Sequence, residues 1–540
     1  MKSYEYVPLR KCSLPRIRRV VSAVMCTVTW CFFISAAGGA QRPTASSAEV
    51  RTARAFEQAR KAGSLALRAF LLEMPKGADL HNHLSGAIYA ESWIRAAGED
   101  RLCVDNTSLK FEKAAAMTTS IPPQPVCGEG KTAASGVPAN SALYDSMIDA
   151  FSMRSFVPTA GVSNHDHFFD SFARFHGTSQ SHTAEWLDEV ATRAAAQNEQ
   201  YLELMETPDF KRTATLSEEI GWNPDLGKLR EDLLARGLRD DVAVARDHLQ
   251  PALDRRKELE RCGTAEAAPA CKVEIRFLYQ VLRGFPPAQV FAQALLGFEV
   301  ASTYPMVVGL NFVMPEDGYR SMADYRLQMH MLDYLHALYP KVHIALHAGE
   351  LAFGLVPPEG LTFHIRSAIE EGHAERIGHG VDLMYEQRPY QLLREMAARH
   401  VLVEISLTSN DVILGVRGMD HPFPIYRKFG VPVALATDDE GVSRIDLTHE
   451  YVNASMIYPL TYRDLKGMVR AGIEHSFLPG QSLWKDGDVF SHAVLPCATQ
   501  ALGAPAPGPA CSTFLESSDK ARQQWDLERR FRAFEADQKN

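Results

Sequence analysis

The segment Ala78-Asp-Leu-His-Asn-His83 decides the fold, because it begins an alternation of short apolar segments and amphipathic stretches that continues to about residue 470. It follows the helix-breaking run Met74-Pro-Lys-Gly77 and is the first of eight candidate strands. Several of these strands are rich in Val and Ile without strict alternation, which is typical of strands buried on both faces of a parallel sheet. The candidate strands are 78–83, 201–205, 273–281, 306–313, 342–347, 376–379, 401–407 and 431–437.

Helical stretches separate most of the candidate strands, and this order predicts the fold class. Strand and helix alternating eight times favour a closed α/β barrel of the TIM type, (β/α)₈, over an open doubly wound sheet. The chain has 540 residues, which is long for one ordinary domain and suits one such barrel with insertions. The clearest helical stretches are 183–198, 287–298, 322–338 and 389–399.

The first 40 residues have the order of a secretory signal peptide. Arg16, Arg18 and Arg19 precede the apolar residues 20–34, and small residues follow to Ala40. An uncleaved membrane anchor is the less favoured alternative, because an apolar run of about 15 residues is short for a membrane span. We therefore expect export to the periplasm or the medium, with no membrane attachment after cleavage.

The exported chain that this signal predicts is acidic. The first 40 residues contain six of the 57 basic and one of the 66 acidic residues, so the remainder has a net charge of −14. Such a chain is a poor general binder of nucleic acid, because phosphate backbones attract positive charge. The hydrophobic content of 46% and the charged content of 23% are those of an ordinary globular protein.

The remaining segments lie before, within and after the predicted barrel. Residues 101–140 interrupt the alternation with a run rich in Pro and Gly, which predicts an insertion after the first strand, and 249–272 predict a smaller one. An amphipathic helix is predicted from 517 to about 536. The N-terminal arm and the tail could pair two subunits as a homodimer. The predicted parts are the signal peptide (1–40), the helical arm (41–75), the barrel (76–495) and the tail (496–540).

The cysteines favour three local disulfide bonds. Cys12, Cys26 and Cys31 lie in the predicted signal peptide, so six remain after export. An even number in three locally spaced pairs is typical of disulfides that close surface loops, although six cysteines allow 15 pairings. Free buried thiols are the alternative. The predicted pairs are Cys103–Cys127, Cys262–Cys271 and Cys497–Cys511.

His81 and His83, at the end of the first strand, are candidate metal ligands. Residues two apart in a strand point to the same side, so both imidazoles converge on one point, and neutral imidazole binds zinc. A His-x-His pair alone is weak evidence, because surface and core histidines also occur in that spacing. Its position strengthens the assignment, since barrel active sites lie at the carboxyl ends of the strands.

Three later strands also end at ionisable residues, which together predict a zinc hydrolase. A catalytic zinc takes about three protein ligands plus a water, whose pKa the metal lowers to about 7. Glu350 and His379 then remain for proton transfer, and Asp439 for a directed hydrogen bond. The strand ends are His347-Ala-Gly-Glu350, Gly378-His379-Gly380 and Thr437-Asp438-Asp439-Glu440. The predicted ligands of one Zn²⁺ per chain are His81, His83, His347 and Asp438.

These segments together resemble the adenosine deaminase family. The resemblance covers roughly residues 74–450, in the same order and barrel positions. The signal peptide, helical arm and cysteine-bearing insertion resemble its secreted, growth-factor-type branch. The resemblance to the family implies an aminohydrolase with one zinc ion that converts adenosine or 2′-deoxyadenosine to inosine or 2′-deoxyinosine and ammonia. The matching segments are Met74-Pro-Lys-Gly-Ala-Asp-Leu-His-Asn-His83, His347-Ala-Gly-Glu350, Arg376-Ile-Gly-His-Gly380 and Thr437-Asp-Asp439.

The resemblance also implies a role for each residue near the metal. The four ligands match the zinc ligands of the family. Glu350 matches the acid that protonates N1 of the purine and so makes C6 electrophilic. His379 matches the base that orients the attacking water and takes its proton, and Asp439 matches the side chain that contacts N7.

Two positions depart from the family's pattern on the sugar side of the pocket. The family has Leu-Asp-Gly after the second histidine, and its Asp holds the ribose 5′-hydroxyl. This chain has Leu84-Ser85-Gly86, in which Ser85 can hydrogen-bond but carries no charge. The family's Gly-x-Glu loop after strand four is Met314-Pro315-Glu316 here, where Glu316 is the candidate support for Glu350.

Other functions agree less well with the residues. A second zinc deaminase class carries His-x-Glu and Pro-Cys-x-x-Cys. Here Cys497 is followed by Ala-Thr-Gln500, so the second cysteine of that motif is missing. Two-metal barrel hydrolases need a bridging Lys on strand four, and residues 307–313 contain none. A secreted nucleoside-binding or signalling protein without catalysis would not need the complete set of residues. Deamination of adenine or another 6-substituted purine stays open.

Four further histidines have no assigned role. We expect His165, His167, His182 and His364 on helix and loop surfaces.

Overall fold

Eight parallel strands form the central sheet of the protein, whose computed structural model describes residues 46–178 and 180–538. The strands are hydrogen-bonded in chain order, each parallel to its neighbours. The predicted signal peptide lies outside the described residues. The eight strands are β1 (Gly77–His83), β2 (Glu199–Glu206), β3 (Glu274–Leu282), β4 (Val307–Val313), β5 (His343–Ala348), β6 (Arg376–His379), β7 (Leu402–Ile405) and β8 (Val433–Leu435).

The first and last strands meet where β1 ends. Asn82 pairs in parallel with Asp438, just beyond β8. The Asp438 N–H donates to the His81 carbonyl at 2.9 Å, and the His83 N–H donates to the Asp438 carbonyl at 3.0 Å. This pairing nearly closes the sheet, so the predicted (β/α)₈ barrel is confirmed. Because all eight strands are parallel, their carboxyl ends lie on one rim.

The last two strands are shorter than the sequence predicts. β7 ends at Ile405 because the helix Leu407–Leu414 begins two residues later. β8 begins after Pro432, which has no N–H for the ladder. It ends before Thr437, whose N–H donates to the Asp79 carboxylate at 3.3 Å. The other six strands agree with the prediction to within two residues at each end.

Helices surround the sheet and connect its strands. The predicted helix 322–338 is two helices that meet at Asp324. Among the described residues, no helix is both long and apolar enough to cross a membrane. The α-helices between β1 and the end of the barrel are Leu84–Ala87, Ala90–Glu99, Ser141–Ala150, Asn164–Phe175, Thr183–Ala196, Lys211–Ile220, Leu226–Ala235, Asp241–Leu259, Pro287–Thr303, Tyr319–Ala323, Tyr325–Leu338, His364–Glu370, Pro389–Ala398, Leu407–Leu414, Phe423–Phe429, Glu440–Ser443, Leu447–Ile457 and Tyr462–Glu474.

The insertion after β1 contains small antiparallel sheets. One has three strands, Phe111–Glu112, Cys103–Asp105 and Lys131–Ala133, and the other is the hairpin Ala116–Met117 with Pro125–Val126. All three predicted cysteine pairs are bonded, and each bond closes a local loop. The sequence separations are 24 for Cys103–Cys127, 9 for Cys262–Cys271 and 14 for Cys497–Cys511.

The N-terminal arm and the tail pack against the barrel and against each other. The arm is two helices, Ser47–Ala62 and Ser64–Glu73, joined at Gly63, whose φ of +106° favours glycine. The tail ends in the helices Pro509–Glu516 and Asp519–Asp537. The rings of Phe70 and Phe534 lie 5.3 Å apart between arm and tail. The predicted homodimer stays a prediction.

Candidate active site

The four predicted metal ligands lie together on the carboxyl rim of the barrel. His81 and His83 end β1, His347 lies in β5, and Asp438 follows β8. Ligand atoms of all four are within 4.8 Å of one another. His83 Nε2 is 3.2 Å from His347 Nε2 and 3.3 Å from Asp438 Oδ1, and His81 Nε2 is 3.4 Å from the same oxygen.

Each of the three imidazoles has its Nδ1 atom beside a side-chain oxygen. An oxygen acceptor keeps the proton on Nδ1, so the lone pair of each ring is on Nε2 and faces the centre of the group. The Nδ1 distances are 2.7 Å from His81 to Glu404, 2.8 Å from His83 to Gln280 and 2.9 Å from His347 to Asn311.

This arrangement fits a divalent metal ion of the zinc type. Three imidazole nitrogens and one carboxylate are the donor atoms that zinc prefers, and a water could complete the coordination. The buried Nε2 atom of His81 has no hydrogen-bond partner among the described residues, which a metal ion would supply. Burial and the neighbouring His81 ring lower the pKa of His347 well below its ordinary value, so its imidazole is neutral.

Contacts behind the ligands hold them in place. The Ser409 hydroxyl donates to Asp438 Oδ2 at 2.6 Å. Gly378 in β6 lies against the His81 ring, and a Cβ atom there would be 2.5 Å from Cε1, so only glycine fits. Arg376 Nε is 2.7 Å from Glu404 Oε1. Burial opposes ionisation of Glu404, but Arg376 and His81 outweigh it and lower its pKa.

Glu350 lies beside the ligands, on the loop after β5. Its carboxyl is buried, and Oε1 has no hydrogen-bond partner among the described residues. Burial, with the nearby carboxylates of Asp438 and Glu316, raises the pKa of Glu350 well above its ordinary value. Glu350 is therefore suited to carry a proton at neutral pH and to donate it to a bound molecule.

Glu316 supports the Glu350 loop from below. It accepts hydrogen bonds from the backbone N–H groups of Gly349 at 3.1 Å and Glu350 at 2.7 Å, and His364 Nδ1 lies 2.6 Å away. Burial opposes ionisation of Glu316, but the hydrogen bond and charge of His364 outweigh it, so its pKa is lowered to about 2. Met314, which replaces the family's glycine, has a φ of +89° and thus keeps a backbone conformation that favours glycine.

His379 and Asp439 face the same space from other strands. His379 Nε2 is 3.7 Å from Glu350 Oε1 and 3.9 Å from Asp438 Oδ2. Asp439 is buried, and burial together with Asp438 raises its pKa to about 8. A protonated Asp439 can donate a hydrogen bond to a ring nitrogen. Gly86 makes room for it, because a Cβ atom there would be 1.6 Å from Asp439 Oδ1.

A cavity of about 350 Å³ opens beside these groups. Its lining is part polar and part apolar, and the apolar part includes three aromatic residues of the helix Asn164–Phe175, here called the aromatic helix. No lysine or arginine is among the described residues that line it. The polar lining is His83, Ser85, Gln280, His347, Glu350, Asp438 and Asp439, and the apolar lining is Phe168, Phe169, Phe172, Leu282, Val313, Met314, Pro315 and Ile413.

The structure thus brings most of the predicted site residues to this cavity. His81, His379 and Glu316 are the three that do not line it. His81 and His379 stand behind the lining, with ring centroids 4.8 Å apart, while Glu316 acts through the Glu350 loop. Ser85 has a place in the wall, but its hydroxyl shows no hydrogen bond to another described residue.

The expectation that four other histidines lie on the surface is wrong for three of them. His364 is fully buried against Glu316. His167 is buried beneath Phe156, with ring centroids 3.9 Å apart, and His182 is buried with Nε2 3.1 Å from Asp100. A carboxylate or carbonyl partner makes each burial tolerable. His165 is half-buried, and its Nε2 lies 3.0 Å from Asp317 Oδ1.

The residues that orient the ligands were not predicted from the sequence. Gln280, Asn311 and Glu404 are polar residues with apolar neighbours on both sides in their strands, which is a signal that the sequence does contain. Ser409, Asn410 and His421 lie on helices and loops between β7 and β8, where nothing local marks them.

Comparison with known proteins yields matches to deaminases. The family model described as adenosine deaminase matches residues 250–484. The adenosine deaminase of Clostridium perfringens (strain 13 / Type A) is 34% identical over 135 residues, which are 25% of this chain and 37% of that protein. The adenosine deaminase of Pectobacterium atrosepticum is 35% identical over 140 residues, 26% and 38% respectively. The chain thus spans little more than a third of the length of these curated relatives.

One solved structure is similar over most of the chain. It is an amidohydrolase from Burkholderia ambifaria with bound Zn, which covers 78% of this chain and 89% of its own at a TM-score of 0.51. Its sequence identity is 18%, so the likeness shows the barrel fold alone.

Proposed function

We propose that the chain is a zinc-dependent adenosine deaminase. It belongs to the adenosine deaminase family through residues 250–484. The reaction is hydrolytic deamination of adenosine or 2′-deoxyadenosine to the 6-oxopurine nucleoside and ammonia. The observation that carries the proposal is that the four ligands, Glu350, His379 and Asp439 lie close together on the carboxyl rim of the barrel, beside one cavity. The matches to relatives cover too little of their length to carry it alone.

The close approach of the four ligands supports a metal site at this point of the rim. His81, His83, His347 and Asp438 would hold zinc, which when bound lowers the pKa of a water and so makes it nucleophilic near neutral pH. Zinc agrees with the nitrogen and oxygen donors and with their burial.

The chain's own residues would then position and protonate the purine. Glu350 carries a proton because its carboxyl is buried beside other carboxylates, and it donates that proton to N1, which makes C6 electrophilic. Asp439, with its raised pKa, donates to N7 and so fixes the orientation of the ring in the cavity. Glu316 holds the Glu350 backbone through two N–H groups.

The lining of the cavity favours a nucleoside over a nucleotide. Among the described residues that line it there is no lysine or arginine to pair with a phosphate. Free adenine would fill only part of the cavity, whose volume is about 350 Å³. Both features support a neutral 6-aminopurine nucleoside as the substrate.

A panel of purines tests the proposal. The exported form of the protein is assayed for ammonia release from adenosine, 2′-deoxyadenosine, AMP, adenine and N6-methyladenosine, with and without a zinc chelator. We expect turnover of the two nucleosides and little turnover of AMP. The chelator should abolish the activity, and added zinc should restore it. Glu350→Gln should abolish turnover, while the exposed Glu359→Gln is the matched control. Zinc-loaded protein that deaminates no purine would overturn the proposal.

A further inference from the structure

His379 is the last member of a buried chain of hydrogen bonds that begins at a backbone amide. The Phe423 N–H donates to His421 Nδ1 at 3.1 Å. His421 Nε2 is 3.0 Å from Asn410 Oδ1, and Asn410 Nδ2 is 3.0 Å from His379 Nδ1. The side chains of His379, Asn410 and His421 are at most 1% exposed, so water does not compete for these bonds.

The backbone amide gives the chain its direction. A backbone N–H can only donate, so His421 Nδ1 must carry a lone pair. Burial lowers the pKa of His421 to about 4, and no carboxylate of the described residues contacts the ring, so it is neutral near pH 7. A neutral imidazole without a proton on Nδ1 carries it on Nε2. His421 therefore donates from Nε2 to Asn410 Oδ1.

The amide of Asn410 passes this direction to His379. Its oxygen accepts from His421, so its NH₂ group faces His379 and donates to Nδ1. His379 Nδ1 must then carry a lone pair, and the neutral ring has its proton on Nε2. That atom has no hydrogen-bond partner among the described residues and lies between Glu350 Oε1 at 3.7 Å and Asp438 Oδ2 at 3.9 Å.

We propose that the Phe423 N–H, His421 and Asn410 hold His379 as a hydrogen-bond donor to the attacking water, instead of the base that takes its proton. Asn410 and His421 are then positioning residues that act through His379. At the attack, one proton of the water goes to Glu350, whose own proton is by then on N1, and Glu350 passes it to the departing amine. As ammonia leaves, the second proton of the water, which is then on O6, returns to Glu350, so that the product is the 6-oxopurine with a proton on N1. The assignment rests on the proposed function, since the attack on C6 is the step it describes.

A spectroscopic test reads the tautomer without turnover. The zinc-loaded protein is labelled with ¹⁵N-histidine, and the His379 imidazole signals are assigned by their loss in His379→Asn. We expect a proton on Nε2 and none on Nδ1 near neutral pH. A His379 signal with the proton on Nδ1 would overturn the proposal. If no purine were deaminated, the proposed function would fail and this measurement would still decide the tautomer.

Variants of the chain supply the kinetic test. Asn410→Asp puts an acceptor beside His379 Nδ1, which moves the proton there, so kcat should fall by about 100-fold or more, as for a wrong tautomer. KM and zinc content should stay within about threefold, since neither residue lines the cavity or contacts a ligand. His421→Gln keeps a donor toward Asn410 and should retain most of kcat, whereas His421→Leu should lose it. Equal kcat for the Gln and Leu variants, or full kcat in Asn410→Asp, would contradict the relay.

Discussion

Glu316 accepts three hydrogen bonds in the interior of the protein, two of them from the loop that carries Glu350. Glu316→Gln replaces one accepting oxygen with an NH₂ group that faces a donor. We expect kcat/KM for adenosine to fall by about 10- to 100-fold, because a charge-assisted hydrogen bond contributes roughly 1.5–3 kcal/mol. Steady-state ammonia release measures it. An unchanged kcat/KM would show that the Glu350 loop holds its position without Glu316.

Ser409 acts on the metal site through Asp438. Ser409→Ala removes the 2.6 Å hydrogen bond to Asp438 Oδ2, and loss of such a contact behind a ligand typically weakens metal binding by about 10- to 100-fold. Chelator competition on the zinc-loaded protein measures this affinity. Ser455→Ala is the control, because that buried hydroxyl has no partner among the described residues. Equal zinc affinity in the two variants would contradict the role given to Ser409.

The ligands were predictable from sequence because each stands where an apolar strand stops. Their partners were not, because the contact between His81 and Glu404 joins residues 323 positions apart and depends on how β1 lies beside the other strands. The same reason applies to His364, which we expected on the surface. Its partner Glu316 is 48 positions away in the sequence and contacts the ring only in the folded barrel.

The aromatic helix supplies the three aromatic residues of the cavity lining. Its His165 forms an ion pair with Asp317, which directly follows Glu316, so one contact ties this helix to the loop after β4. His165→Ala should release the helix and raise KM for adenosine about 2- to 5-fold with little change in kcat, since a half-exposed pair contributes about 0.2–1 kcal/mol. His176→Ala, an exposed histidine just after the same helix, is the control.

This ion pair also predicts a pH dependence. Burial opposes protonation of His165, but the hydrogen bond and charge of Asp317 outweigh it and raise its pKa. Because the pKa is raised, the pair stabilises the contact between the aromatic helix and the β4 loop at low pH, and this stabilisation is lost as pH rises through that pKa. The difference in KM between His165→Ala and the unaltered protein should therefore be largest at mildly acidic pH and shrink above neutrality. A constant difference would assign the effect to packing alone.

The order of the elements was predictable because buried parallel strands and amphipathic helices differ in period and composition. The aromatic helix as a wall of the cavity was not, because it belongs to the long connection after β1 and meets the β4 loop only in the folded barrel. Its Phe168, Phe169 and Phe172 have the spacing of any core-facing helix.

At the scale of the whole molecule, three disulfides and the first 40 residues indicate one compartment. Disulfides persist in oxidising surroundings, and each stabilises a domain by about 2–4 kcal/mol. We propose that the chain is exported and cleaved near Ala40, so that expression in a Gram-negative host gives a periplasmic protein with no free thiols in denaturant. Replacing Arg16, Arg18 and Arg19 by Glu should keep the full-length chain in the cytoplasm, with all nine cysteines as reactive thiols and a lower Tm. N-terminal sequencing, thiol titration and thermal unfolding decide between the two forms.

An uncleaved cytoplasmic chain with reduced cysteines and an unchanged Tm would exclude both the export and a stabilising role for the three bonds. It would leave the barrel chemistry untouched, because none of the six cysteines lines the cavity.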